Sequence, residues 1–246
     1  MVSLENLKKE LKKLIFAYRF MRIVQLPYGS FTAGGNLSDA AIDPKSLNQI
    51  VQFLSRTERG RIALSEKQLL GKVDLQQLHQ LPSNTLGYIY ADHMLRNGLT
   101  PPPVREHTSD TYRFLFNYVM ETHDIWHIVT GSNTDKAGEI QVETFSLTQF
   151  YPARFWVVLL AKNLLKTAIE DMDLCSQHIE AVVRGWIMGQ QAQPLFGVPW
   201  NTLWEKPLEE IRTELNIRPY LGSEIESAIK WKGEEIPARY ELVGAK

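Results

Sequence analysis

The chain has 246 residues, of which 44% are apolar, with a formal net charge of −1 and a single cysteine, Cys175. That is enough apolar mass for one sizeable core. The near-neutral balance excludes a protein that gathers nucleic acid through charge, and one cysteine excludes an intrachain disulfide and suits a reducing compartment. The longest apolar run, Phe155 to Ala161, is well short of the roughly 20 residues a membrane-spanning helix needs. The charged N-terminus does not read as a secretory signal, and Glu5 and Glu10 interrupt any mitochondrial presequence, so a cytoplasmic location is expected.

In chain order, residues 3 to 22 read as an amphipathic helix. Leu4, Leu7, Leu11, Leu14, Ile15 and Tyr18 follow the i, i+3, i+4, i+7 spacing, with Lys8, Lys9, Lys12 and Lys13 on the other side. Docking of the apolar face on the protein's own core is the favoured reading; lying on an anionic membrane surface is the alternative. Pro27, Gly29 and Gly34-Gly35 make a loop, and Tyr28, Phe31 and the first helix suit a dimer contact or a membrane equally well. Asp43-Pro44 opens a helix that the polar stretch Ser55 to Gly60 ends. A weaker helical segment runs from Leu69 to Leu81. Ser83 or Asn84 caps a helix from Thr85 to Gly98, in which His93 reads as a core or edge histidine.

After the rigid Pro101-Pro102-Pro103 run, Ser109-Asp110 caps a helix from about Thr111 to Thr130. It carries His123-Asp124-Ile125-Trp126-His127. Histidines four apart lie about 40° from one another on a helix, and Asp124, three before His127, borders the same face. Gly131-Ser132-Asn133 stops this helix, and Asn133 or Thr134 caps the next, with Glu139 in its second turn. A short connection favours antiparallel neighbours. His123, Asp124, His127 and Glu139 are therefore candidate metal ligands, against the plainer reading of two capping histidines. The acid differs from that of the zinc-protease helix: Asp124 follows the first histidine where the protease has a glutamate as general base, and the shorter side chain reaches less far, so no protease is read.

The segment 134 to 149 reads as helix, although the alternation of Ile140, Val142 and Thr144 also permits a strand. Residues 153 to 169 form a helix apolar almost all round, which is expected to be buried or to line an apolar cavity. The segment 171 to 191 is helical, with Cys175 as a buried core residue and with Gly185 and Gly189 permitting close approach. Pro207 opens a last firm helix to about Leu215, and Arg239 to Val243 suits a short strand. The expectation is one all-α domain, residues 1 to 246, of eight to ten helices.

These motifs resemble the coenzyme Q (ubiquinone) biosynthesis protein four family. The family carries His-Asp-x-x-His followed after eleven residues by Glu, which here is His123, Asp124, His127 and Glu139, preceded by Gly138. Leu81 to Tyr90 is similar to the family's Leu-Pro-x-Asn-Thr-x-Gly stretch. Gly185-Trp186 with Gly189, Trp204 to Leu208, and Arg212-x-x-Leu215 are similar too, so the resemblance spans about 81 to 218. It implies a metal at the four positions, Zn²⁺ foremost with Mg²⁺ as the other candidate, and a role in making ubiquinone or a related prenylquinone. It further implies C1 decarboxylation of a polyprenylated hydroxybenzoate, association with other quinone biosynthesis proteins at the inner membrane face, and a homodimer. The competing reading is a prenyl-lipid-binding scaffold with a structural metal site. Met120 stands where the family usually has Arg. An isoprenoid tail needs a lipid-accommodating apolar cavity, for which Leu86, Met94, Trp156, Leu160 and Trp186 are the candidate lining residues. A His-Asp phosphohydrolase, built on His79, His93, His107 and Asp171, leaves His127 and Glu139 unexplained.

Overall fold

The computed structural model describes residues 4–25, 44–105, 107–151 and 154–230. Among these, no strand forms. Eleven α-helices follow in order: α1 (Leu4–Val24), α2 (Pro44–Leu54), α3 (Glu58–Glu66), α4 (Leu75–Leu78), α5 (Leu86–Arg96), α6 (Thr111–Thr130), α7 (Lys136–Gln149), α8 (Arg154–Glu170), α9 (Cys175–Gln191), α10 (Leu208–Glu214) and α11 (Ser223–Ile229). The all-α class agrees with the periodicities. The helix number exceeds the expected eight to ten because local capping makes short helices that an apolar pattern does not announce. Thr57 starts α3 inside the polar stretch, its side-chain oxygen accepting from the Gly60 amide at 3.0 Å. The segment from Leu69 to Leu81 is helical only over α4, which Asp74 caps. The loop after α1, Asp43, and the segment Arg239 to Val243 lie outside the described residues.

Two expected caps shift by a residue or two. Thr85 caps α5, and the Asn84 carbonyl is instead engaged by the Leu208 amide at 2.9 Å. Leu86 and Gly87 donate in turn to the carbonyls of Lys206 and Trp204, at 2.9 and 2.8 Å. The stretches Leu81–Tyr90 and Trp204–Leu208, distant in sequence, are thus one tied corner at the start of α5. Asp135 caps α7, accepting from the Gly138 amide at 2.8 Å.

The core is aromatic and centred on α6. Trp126 stacks on Phe150 with ring centroids 5.3 Å apart, Phe150 stacks on Trp156 at 5.6 Å, and Tyr118 meets Phe196 edge-on at 4.9 Å. Helices α7 and α9 pack most intimately. A Cβ on Gly185 would stand 2.2 Å from the Gln141 carbonyl oxygen. Gly185→Ala is therefore expected to cost about 1–3 kcal/mol, because a backbone carbonyl cannot step aside as a side chain can; chemical denaturation reads the loss.

Helices α1 and α8 depart from expectation. The stripe Leu7, Leu11, Leu14, Tyr18 and Met21 of α1 faces outward, 49–67% exposed, instead of docking on the core. The helix is anchored at its other end: Val24 is buried, and its carbonyl accepts from Lys166 Nζ at 3.4 Å. Helix α8 is not apolar all round where it meets the interior. Lys162, Asn163, Lys166 and Thr167 are buried, while Val157 and Ile169 are exposed. Spacings of three and four put these polar residues on one inward stripe. Of the proposed lipid contacts, Leu86, Met94 and Trp156 are buried core, Leu160 is half-buried and Trp186 is exposed. Cys175 is half-buried at the start of α9 rather than in the core.

Candidate metal centre

Helix α6 ends where the sequence requires. Asp110 caps its start, accepting from the Arg113 amide at 2.7 Å, and Gly131 closes its end in the left-handed conformation. The turn that follows is tight: Ser132 donates its amide to the His127 carbonyl at 3.0 Å. Where α7 starts, a Cβ on residue 138 would stand 1.9 Å from the Asn133 carbonyl oxygen. Only glycine therefore lets the chain turn closely enough to bring Glu139 back onto α6. Arg212 of α10 adds a further clamp, donating from Nη2 to the Ile128 carbonyl at 2.8 Å and from Nε to the Val129 carbonyl at 3.0 Å. Arg212→Ala is expected to fray the last turn of α6 and cost about 1–2 kcal/mol, with Arg212→Lys recovering part of it; thermal denaturation checks both.

The result is a convergence of three side chains. His127 Nε2 lies 3.1 Å from His123 Nε2. Glu139 Oε1 lies 3.5 Å from His127 Nε2, and Glu139 Oε2 lies 3.5 Å from His123 Nε2. Ligand atoms of a tetrahedral zinc site, with bonds of about 2.0–2.1 Å, stand about 3.3 Å apart, so these separations fit one ion between them. His127 Nδ1 lies 3.2 Å from the Ser132 carbonyl, which can only accept. In the neutral ring Nδ1 therefore carries the proton, inferred from the network, and the Nε2 lone pair faces the cluster, as in metal-binding histidines whose other nitrogen is held by a carbonyl. Glu139 Oε2 is buried without a hydrogen-bond partner, a costly condition that a cation relieves.

The electrostatics couple the three groups. Burial alone would raise the Glu139 carboxyl, but the imidazoles of His123 and His127, each 3.5 Å from one of its oxygens, outweigh it and hold the carboxyl well below the usual range. Burial alone would lower His127, but the hydrogen bond and charge of Glu139 reverse the sign. Asp124, the fourth residue proposed from sequence, lies outside the set whose ligand atoms all fall within 4.8 Å of one another. Its charge acts on His127 and also on Tyr90 and His93 of α5. Tyr90 Oη and His93 Nε2 are buried without hydrogen-bond partners. His93 and His127 line a depression of 460 Å³, and Glu139 lines another of 630 Å³.

Behind Glu139 lies a polar cluster that the sequence reading missed. Asn163 Nδ2 donates to Glu143 Oε2, and Lys162 lies beside them; all three are buried. Burial pushes the Glu143 carboxyl up and the Lys162 ammonium down, and their mutual attraction only partly offsets it. The polar residues Lys162, Asn163, Lys166 and Thr167 are visible in the sequence at spacings that put them on one stripe, but the sequence does not say which way that stripe faces.

Fold and cluster together define an all-α protein with a candidate mononuclear metal centre between two consecutive helices, α6 and α7. The family described as "Coenzyme Q (ubiquinone) biosynthesis protein Coq4" matches residues 32–220, and the chain belongs to that family. It is 30% identical over 184 residues to the mitochondrial ubiquinone biosynthesis protein COQ4 homolog of Anopheles gambiae, covering 70% of this chain and 62% of the relative. It is 28% identical over 190 residues to the mitochondrial ubiquinone biosynthesis protein COQ4 of Eremothecium gossypii, covering 74% and 57%. The chain thus spans less than two thirds of the length of these two relatives. A crystal structure of a candidate ubiquinone biosynthesis protein from Nostoc punctiforme superposes with a TM-score of 0.71 at 25% identity, covering 84% of this chain and 97% of that one.

Proposed function

We propose that the chain serves ubiquinone-type prenylquinone biosynthesis as a metal-dependent carboxy-lyase, removing the C1 carboxyl of a polyprenylated hydroxybenzoate. The observation that carries this reading is the convergence of His123, His127 and Glu139 with Asp124 outside the set, because three protein ligands leave a coordination position open whereas structural zinc sites are closed by four. Two nitrogens and a carboxylate suit Zn²⁺, and Mg²⁺ less well. The ion would supply Lewis acidity at the scissile carboxylate. In the reaction the bond between C1 and the carboxyl carbon breaks, CO₂ leaves with its two oxygens, and C1 takes up one proton. His123, His127 and Glu139 hold the ion; Ser132 orients His127; Asp124, beside Tyr90 and His93, is the acid that returns the proton. Release of labelled CO₂ from carboxyl-labelled substrate, stopped by a chelator and restored by zinc, tests the reading. Metal retention without CO₂ release would favour the prenyl-lipid-binding scaffold instead.

The setting we propose is a membrane surface, in company with other quinone biosynthesis proteins and as a homodimer. No helix among the described residues is long and apolar enough to cross a membrane. The outward stripe of α1 supports a surface attachment: it sits in a helix carrying six basic residues and two acidic ones, in a chain of net charge −1. Glutamate at both Leu11 and Leu14 is expected to cut co-sedimentation with vesicles containing anionic lipid at least roughly tenfold, since each removes apolar contact and adds a repelled charge. Unchanged co-sedimentation would remove α1 from the account.

A further inference from the structure

We propose that Thr130 is a positioning residue of the metal centre: its hydroxyl anchors the Ser132 side chain and, through Ser132, fixes the carbonyl that holds His127. This rests on the proposed metal centre and adds what keeps one of its ligands aimed. Thr130 Oγ1 lies 2.6 Å from the Trp126 carbonyl, one turn back on α6. A carbonyl can only accept and a threonine hydroxyl has a single proton, so that proton is committed there. The His127 carbonyl, 3.4 Å from the same hydroxyl, is at the limit of a hydrogen bond. Ser132 Oγ lies 2.9 Å from Thr130 Oγ1, and the proton in that contact must be the serine's. The relay therefore has one direction: Ser132 donates to Thr130, and Thr130 donates to Trp126.

Ser132 needs such an anchor. Gly131 ends α6 in the left-handed conformation, so Ser132 lies outside the helical ladder. Its amide is held by the His127 carbonyl at 3.0 Å. One bond alone would let the residue pivot about it. The side-chain bond to Thr130 is the second point of attachment, and two points set the direction in which the Ser132 carbonyl leaves toward His127 Nδ1, 3.2 Å away. Trp126, His127, Thr130 and Ser132 are all buried. A hydroxyl removed here leaves its partner unsatisfied, because water has no ready access to replace it. The link to the metal is then short: the carbonyl fixes the His127 tautomer and ring angle, and the ring presents Nε2 to the cluster.

The test measures zinc affinity of the full chain by competition with a chromophoric chelator, and solvent exchange of the His127 Nδ1 proton by NMR in the zinc-loaded protein. The proteins are the parent, Thr130→Val, Thr130→Ser, Ser132→Ala and the double variant Thr130→Val with Ser132→Ala. Thr130→Val and Ser132→Ala are each expected to weaken zinc binding about tenfold, the lower end of what losing support for a ligand costs, and to speed the exchange. The double variant should be no weaker than either single one, because both cut the same link. Thr130→Ser keeps the hydroxyl and should bind zinc like the parent. Affinity and exchange unchanged in Thr130→Val and Ser132→Ala, additive losses in the double variant, or a Thr130→Ser as weak as Thr130→Val would each overturn the relay and leave the metal centre standing. Should Thr130→Val misfold, Ser132→Ala decides alone. Binding of no zinc by the parent overturns the relay and the metal centre together.

Discussion

His127→Ala is expected to reduce bound metal from about one equivalent per chain to less than roughly a tenth, and to weaken metal affinity by about a thousandfold or more. Loss of a group that merely hydrogen-bonds a ligand already costs about 10–100-fold, and His127 is itself a ligand in this account. Its Nε2 is 3.1 Å from His123 and 3.5 Å from Glu139, so no neighbour can substitute for it without moving a helix. The substitution also leaves the largely buried Glu139 facing one imidazole rather than two. The metal-free variant should therefore be about 2 kcal/mol less stable than the metal-free parent, as a buried carboxylate losing a partner predicts. Elemental analysis after dialysis, with denaturation of the metal-free proteins, reads both. Full metal retention by His127→Ala would remove this histidine from the centre.

Asp124→Asn is expected to separate ligation from chemistry. Asp124 is next to a proposed ligand in sequence but outside the converged set in space, and its charge falls on Tyr90, His93 and His127. Asparagine keeps the shape and removes the proton and the charge. Metal content should stay near that of the parent while turnover falls by 10²–10⁴-fold, the usual contribution of a general acid or base. Loss of metal in Asp124→Asn would instead make it a fourth ligand and close the site.

Much of this centre was legible in the sequence because its parts are local. The i, i+4 histidine pair, the capping Asp110 and the Gly131 stop belong to one helix and its two ends, and the short connection brings Glu139 back onto the histidines. What stayed hidden depends on contacts between distant segments. Nothing in residues 153 to 169 alone says that the polar stripe of Lys162, Asn163 and Lys166 faces inward; that follows from Glu139 and Glu143 on α7. The α1 periodicity gave an apolar face but not its direction, since a stripe meant for the core and one left outside look alike in sequence. The proposed lipid contacts were chosen for apolarity alone, and apolarity equally fits plain core, where Leu86 and Met94 lie.

The most direct test of the central claim is to load the purified chain with cobalt(II), a zinc surrogate with a visible spectrum sensitive to coordination, and then to add a prenylated 4-hydroxybenzoate. The account predicts about one equivalent of bound cobalt, with absorption bands that shift as the acid enters the open coordination position. No bound cobalt, or bands indifferent to the acid, would contradict an open metal centre built from His123, His127 and Glu139.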